Sequence, residues 1–339
     1  MDIEFHYYIT AYLAHEAGFS KESARIIAYA SQYVDENDVS FKIINRQTGR
    51  RYRNFISQTM NILKPKQELM RIYPIFHFVP GEPDAVTARR VDGKQHILNT
   101  TPNSENANFL MDAAMKSDHQ LRLYRIGIAT HMYVDTWAHQ NFVGWYDVFN
   151  QVSLDIKPNI GHADGEHHPD WVSHRWFDER LVEPEVNNRH RFLSAAKALF
   201  AWYCQAEGRD SLVDASEHWP KVEKLLSQMM GPTYTGNACK YQEDRLACYE
   251  EAMPWLSAFD ERAWFDEAIE TMVHGGVDTH EGLRARFTVF SDEYFWREQQ
   301  PPEQTHWFRF QESIKAHERA GIERLNPLFA QMGCQLERI

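Results

Sequence analysis

The spacing with the most chemistry in this chain is that of His131, Asp135 and His139, within LYRIGIATHMYVDTWAHQNFVG. Residues four apart on a helix lie above one another, so two imidazoles and a carboxylate share one stripe. Ile128 and Phe142 continue the neighbouring line with apolar groups, which turns the stripe inward. Buried polar groups must be satisfied, and a divalent cation satisfies all three at once. The plainer alternative is a hydrogen-bonded core network. Gly127, one turn before His131, leaves room for another backbone to come close.

Further metal-competent groups fall in three other places. His6 lies near the N-terminus, and His77 is embedded in the apolar run IYPIFHFVPGEP. The loop VSLDIKPNIGHADGEHHPDW brings His162, Asp164, Glu166, His167, His168 and Asp170 within nine residues. Together they exceed what one tetrahedral zinc requires. Two or three ions would use them, with Asp135 as the natural bridge. Clustered divalent ions about 3.5–4 Å apart suit phosphoester hydrolysis, one activating water and another stabilising the leaving oxygen. A carboxylate beside that water orients it and takes its proton. Asp35 is the candidate for this role, although by itself it reads as a helix cap or surface residue.

These groups need elements to hold them. The segment from His6 to Ala17 reads as a helix stopped by Gly18. Ser20 is placed to cap the next helix, KESARIIAYASQYVDEN, which carries Asp35 on the inward side of its end. The helical period then breaks. VSFKIINRQTGRRYRNFI predicts a hairpin around Gly49, and VTARRVDGKQHILNT a second around Asp92-Gly93. Helix resumes near Asn106 and continues, with a break at Ser117-Asp118, into the 131–139 stretch. From Asn188 onward the chain reads as mostly helical. The expected fold is mainly α, with a small β-hairpin insertion around residues 39–100. Residues 1–190 form the metal-binding helical domain, and 191–339 a C-terminal helical portion packed on it as one unit.

The ordered set resembles the superfamily of zinc-dependent phospholipase C enzymes and single-strand-specific nucleases. On that resemblance His6 matches the early histidine, His77 the central one, His131 and Asp135 the H-x-x-x-D pair, and His162 with Glu166 the last pair. Asp35 matches the water-activating aspartate. DxEFHYY, SQYVD, HMYVDTWAHQNF and GHxxxxHxPD resemble, more narrowly, an uncharacterised bacterial family related to those hydrolases. The resemblance covers roughly residues 1–175 and implies a multi-helix bundle holding two or three zinc ions. The chain departs from the pattern in three ways. The family's N-terminal Trp, an amine ligand, is absent or replaced by Met1, Asp2 or Glu4. His139 follows Asp135 by four residues where the family's histidine follows by six. His167 competes with Glu166 as the last ligand.

Bulk properties narrow the function. A net charge of -12 argues against a broad nucleic-acid surface, because phosphate backbones are bound by clustered Lys and Arg. No stretch approaches the roughly 18–20 apolar residues of a membrane span. The four cysteines show no C-x-x-C spacing, while a Cys239–Cys248 bridge stays open. The N-terminus lacks the basic and apolar regions of a signal peptide, so a cytoplasmic location is expected. The expected activity is hydrolysis of a small phosphoester, nucleotide or lipid headgroup, with a non-catalytic metal-stabilised scaffold as the alternative. An HD-type phosphohydrolase needs adjacent His-Asp, which does not occur. A di-iron oxidase needs E-x-x-H pairs on the inward stripes, which these lack.

Overall fold

In the computed structural model, which describes residues 1–61, 63–152, 160–209, 211–273 and 292–336, the chain is mostly α-helical with small sheets. A π-helical turn, Glu4–Ile9, runs into α1 (Thr10–Ala17), which Gly18 ends in the left-handed region at φ 116°. α2 (Lys21–Glu36) follows, with the Ser20 side chain accepting from the Ser23 N–H as the cap. α3 (Lys66–Phe76) contains Pro74 and ends at His77. α4 (Glu105–Met115) and α5 (Arg122–Ala138) are separated as the Ser117-Asp118 break predicts. α6 (Asn188–Ala206), α7 (Ser211–Met229), α8 (Gln242–Ala252), α9 (Ala263–Ala268) and α10 (His306–Gln331) complete the helices.

α5 is the centre of the molecule. Every residue from Tyr124 to Ala138 is buried, so this helix has no solvated face. It packs against α2, α4, α6, α10 and α3. The approach of α2 depends on Gly127. A Cβ there would lie 2.4 Å from the Ile27 carbonyl oxygen and 2.6 Å from the Ala30 Cβ. Glycine therefore brings the two backbones together directly beneath His131. α6 packs on α1 and α5, and α10 on α3, α4 and α5, so the helices after residue 190 buttress those that carry the site.

The sheets differ from expectation. β1 (Lys42–Ile44) and β2 (Arg51–Arg53) form the antiparallel hairpin around Gly49. β3 (Arg175–Phe177) and β4 (Glu185–Asn187) form a separate pair. β5 (Ile269–Met272) and β6 (Glu293–Trp296) pair with each other, and β6 lies parallel to β1, giving the order β2-β1-β6-β5. The β structure is thus not confined to residues 39–100, and the C-terminal portion contributes two strands. DERAWFDEAIETM divides into α9 and β5 rather than one helix; the glycine pair that follows, 275–276, lies outside the described residues.

The second hairpin, in VTARRVDGKQHILNT, does not form. Its turn is present, with Gly93 at φ 69° and its N–H donating to the Arg90 carbonyl. Its flanks bridge elsewhere: Arg90 to Leu181, Asn99 to Val143 and Thr100 to Pro80. Tertiary partners outcompete the neighbouring segment. IYPIF likewise belongs to α3, although its unbroken apolar run carries no helical period.

Candidate metal centre

His6 comes from the π-helical turn, Asp35 from the last turn of α2 and His77 from the cap of α3. α5 supplies His131 and Asp135, and His139 caps its end with its N–H donating to the Asp135 carbonyl. His162 and Asp170 come from the following loop. Three sets result, two of them sharing His131 and the third separate: His6, Asp35 and His131; His77, His131 and Asp135; His139, His162 and Asp170. Within each, the ligand atoms lie within 4.8 Å of one another. Asp135 lies among these imidazoles. Its oxygens lie 3.2 Å from His6 Nε2, 3.3 Å from His131 Nε2 and 3.5 Å from His77 Nδ1.

The ring orientations are fixed from outside the group. A carbonyl only accepts, so an imidazole nitrogen bonded to one carries the proton. His131 Nδ1 donates to the Ser31 carbonyl at 2.8 Å, and His77 Nε2 to that of Ser57 at 2.9 Å. His139 Nδ1 donates to the His77 carbonyl at 2.8 Å, and His162 Nδ1 to that of Glu166 at 2.6 Å. In neutral rings the inward nitrogens then carry lone pairs. His131 Nε2 faces His77 Nδ1 at 3.1 Å; His139 Nε2 faces Asp170 Oδ1 at 3.1 Å, and His162 Nε2 faces Asp170 Oδ2 at 3.3 Å. Acceptors facing acceptors repel unless a cation lies between them. Carbonyl-anchored imidazoles with bare inward nitrogens are how histidines are arranged around a metal.

Electrostatics reinforce this reading. Burial lowers the His6 pKa to about 3, helped by His131 and the Met1 amine and against the pull of Asp135, so its ring is neutral; its Nδ1 is buried without a hydrogen-bond partner among the described residues. Burial likewise lowers His162, against the pull of Asp170. Burial by itself raises carboxyl pKa values. The imidazoles and the Met1 amine outweigh it and hold Asp135 and Asp170 well below the usual carboxylate range. The Met1 amine lies 2.5 Å from Asp135 Oδ1 and 3.3 Å from Asp170 Oδ1. Burial opposes its charge, but Asp135, Asp170 and Asp35 raise its pKa to about 11. Of the groups weighed at the N-terminus, Glu4 points elsewhere: it forms a buried bidentate pair with Arg245 on α8, both bonds at 2.7 Å. That pair ties the turn carrying His6 to the C-terminal portion.

Two expected ligands lie outside the group. The Glu166 and His167 side chains are exposed, and the carboxylate meeting His162 is that of Asp170. Glu166 adopts φ 50°, and it is its carbonyl that holds the His162 ring. A D-x-x-x-x-x-x-x-H count back from Asp170 to His162 has no helical period to reveal it; only the density of ligand types in the loop gave a signal. Asp35 lies on the open side, its side chain 29% exposed and Oδ1 at 3.6 Å from His131 Nε2 and 3.8 Å from His77 Nδ1.

Five imidazoles and three carboxylates converge here, nitrogen and oxygen groups of the kind that can hold divalent cations. No curated protein and no solved structure matches the chain. A family profile matches residues 1–325, and the chain belongs to that family, a family of unknown function (DUF6765).

Proposed function

We propose that the protein is a metal-dependent phosphoester hydrolase of the zinc-dependent phospholipase C and nuclease type, with the helical-bundle fold that resemblance implies. The observation that carries this reading is the set of carbonyl-anchored histidines with bare nitrogens facing Asp135 and Asp170. His6, His77, His131 and Asp135 would hold one part of a two- or three-zinc cluster, and His139, His162 and Asp170 the other. Such ions, when bound, lower the pKa of water toward 7 and neutralise charge on phosphoryl oxygens.

The chain's own residues divide the remaining work. Asp35, the most exposed carboxylate of the group, accepts a proton from the attacking water and orients it. Asp135, buried and ionised, fixes the spacing between the imidazoles. The Ser31, Ser57, His77 and Glu166 carbonyls fix their tautomers. The substrate class is a small phosphoester, nucleotide or lipid headgroup. The chain's net charge of -12 disfavours long polyanions. Among the described residues no helix is long and apolar enough to cross a membrane. The four cysteines are free, which fits a reducing, cytoplasmic setting.

Elemental analysis of the purified protein, paired with hydrolysis of bis-p-nitrophenyl phosphate, tests the reading. Asp35→Asn is expected to lose about 100-fold or more in turnover while keeping its metal and its melting temperature. Absence of tightly bound transition metal overturns the proposal. Metal without turnover in the parent protein favours a metal-stabilised scaffold, for which ligation contributes to folding alone.

A further inference from the structure

Beyond the end of α5, on the side away from Asp135, lies a cavity of about 430 Å³. Trp137, Gln140, Leu181 and Val186 line it, with Arg191 and Ser194 from the first turns of α6. Trp137 follows Asp135 by two residues, which places it on the opposite side of the helix. The cavity is therefore distinct from the metal centre. Its size suits a small organic ligand.

The chemistry of this cavity is set by Arg191. The side chain is part-exposed and lines the cavity, while its Nη1 lies behind the wall, buried with no hydrogen-bond partner among the described residues. The carboxylate that acts on it, Asp178, is already engaged: Arg180 donates to it from Nε at 2.8 Å, from Nη2 at 2.6 Å and from its backbone N–H at 3.1 Å. Arg180 and Arg90 each donate an Nη1 bond to the Phe149 carbonyl, at 2.9 and 2.8 Å, which neutralises neither charge. Arg90 has the exposed Asp92 at 3.4 Å, so among the described residues Arg180 and Arg191 are left to share one buried carboxylate, Asp178. Burial lowers the Arg191 pKa to about 9 despite Asp178, the mark of a cation short of counter-charge. A part-buried charge with an incomplete set of partners is costly, and proteins normally pair it.

We propose that this cavity binds a small organic carboxylate, its head on Arg191 and its apolar body against Trp137, Leu181 and Val186. The guanidinium fork matches a carboxylate. The mouth selects against more highly charged anions: Glu183 and Glu185 both line it, and Glu185 is paired with Arg175. Gln140 and Ser194 offer polar contacts beside the head. Nothing in this site depends on the metal ligands.

The test uses hexanoate as probe, with 1-hexanol as its uncharged analogue, followed by ligand-observed NMR on the full chain. Saturable binding of hexanoate is expected, with 1-hexanol weaker by about tenfold or more. Arg191→Met is expected to weaken hexanoate by a similar factor. Ser194→Trp, which plugs the cavity without touching the buried charges, is expected to abolish binding and keeps the test valid should Arg191→Met fail to fold. The proposal is overturned if the parent protein shows no saturable binding, or if folded Ser194→Trp binds hexanoate as the parent does.

Discussion

On one side of α5, lone pairs of four histidines and the oxygens of Asp135 and Asp170 crowd together, with the Met1 amine as the cation among them. On the other, one buried nitrogen of the Arg191 guanidinium has no acceptor among the described residues. One region is short of positive charge and the other of negative. A third buried place, the Glu4–Arg245 pair, shows what a closed polar site looks like: two parallel bonds, with each charge met by its opposite. The contrast teaches that burial of polar groups is not by itself a sign of binding. What marks a site is an imbalance that the surrounding fold maintains at a cost and a ligand of definite charge would remove.

The comparison can be broken most directly at the acceptor-rich end. Removing metal from the purified protein with a chelator, or replacing Asp135 by Asn, is expected to produce the largest loss. Structural zinc contributes on the order of 10 kcal/mol in small metal-dependent folds. A large fall in melting temperature on chelation, restored by zinc in calorimetry, is the expected result. An unchanged melt would mean that the cluster is balanced without a cation.

Opening the closed pair should cost less but remain severe. Glu4→Ala leaves the Arg245 charge buried and is expected to destabilise by about 3–5 kcal/mol in urea unfolding. The double change Glu4→Met with Arg245→Met removes both charges and should recover most of that loss. Metal retention should fall in the single variant as well, because the pair anchors the turn that carries His6.

Gly127→Ala probes the frame instead of the charges. The added methyl meets the Ile27 carbonyl and Ala30, so α2 and α5 must separate. A loss of about 1–3 kcal/mol is expected. The His131–Ser31 bond should lengthen with it, readable as weaker metal retention without removal of any ligand.

The smallest effect is one of pH, and it tests burial of a neutral imidazole that belongs to neither site. His317 lies buried against Phe76, and burial, with Arg125 adding to it, lowers its pKa to about 3. The unfolded chain binds a proton near pH 6.5 that the folded chain refuses. The stability due to this ring is thus complete above pH 6.5 and declines as pH falls toward 3. Relative to His317→Leu, the parent protein should lose about 1–2 kcal/mol between pH 7 and pH 5 in urea titrations. Parallel pH profiles would refute the assignment.

Where the chemistry is set by local geometry, the sequence alone determined it. The 131/135/139 stripe follows from the rise of a helix, and Gly127 from the absence of a side chain; Ser20 and Gly18 mark helix ends through their own backbone chemistry. Tertiary structure decided the rest. That Asp170 and not Glu166 or His167 meets His162 depends on a loop whose φ of 50° at Glu166 turns a carbonyl toward the ring. That the flanks of Asp92-Gly93 pair with distant partners, and that β6 joins β1 across some 250 residues, depends on contacts no window of sequence contains. The charge deficit at Arg191 is of the same kind, because it exists only where Arg180 has already taken Asp178. Periodicity is written residue by residue. Whether a buried charge finds its partner is settled only when the whole chain has closed around it.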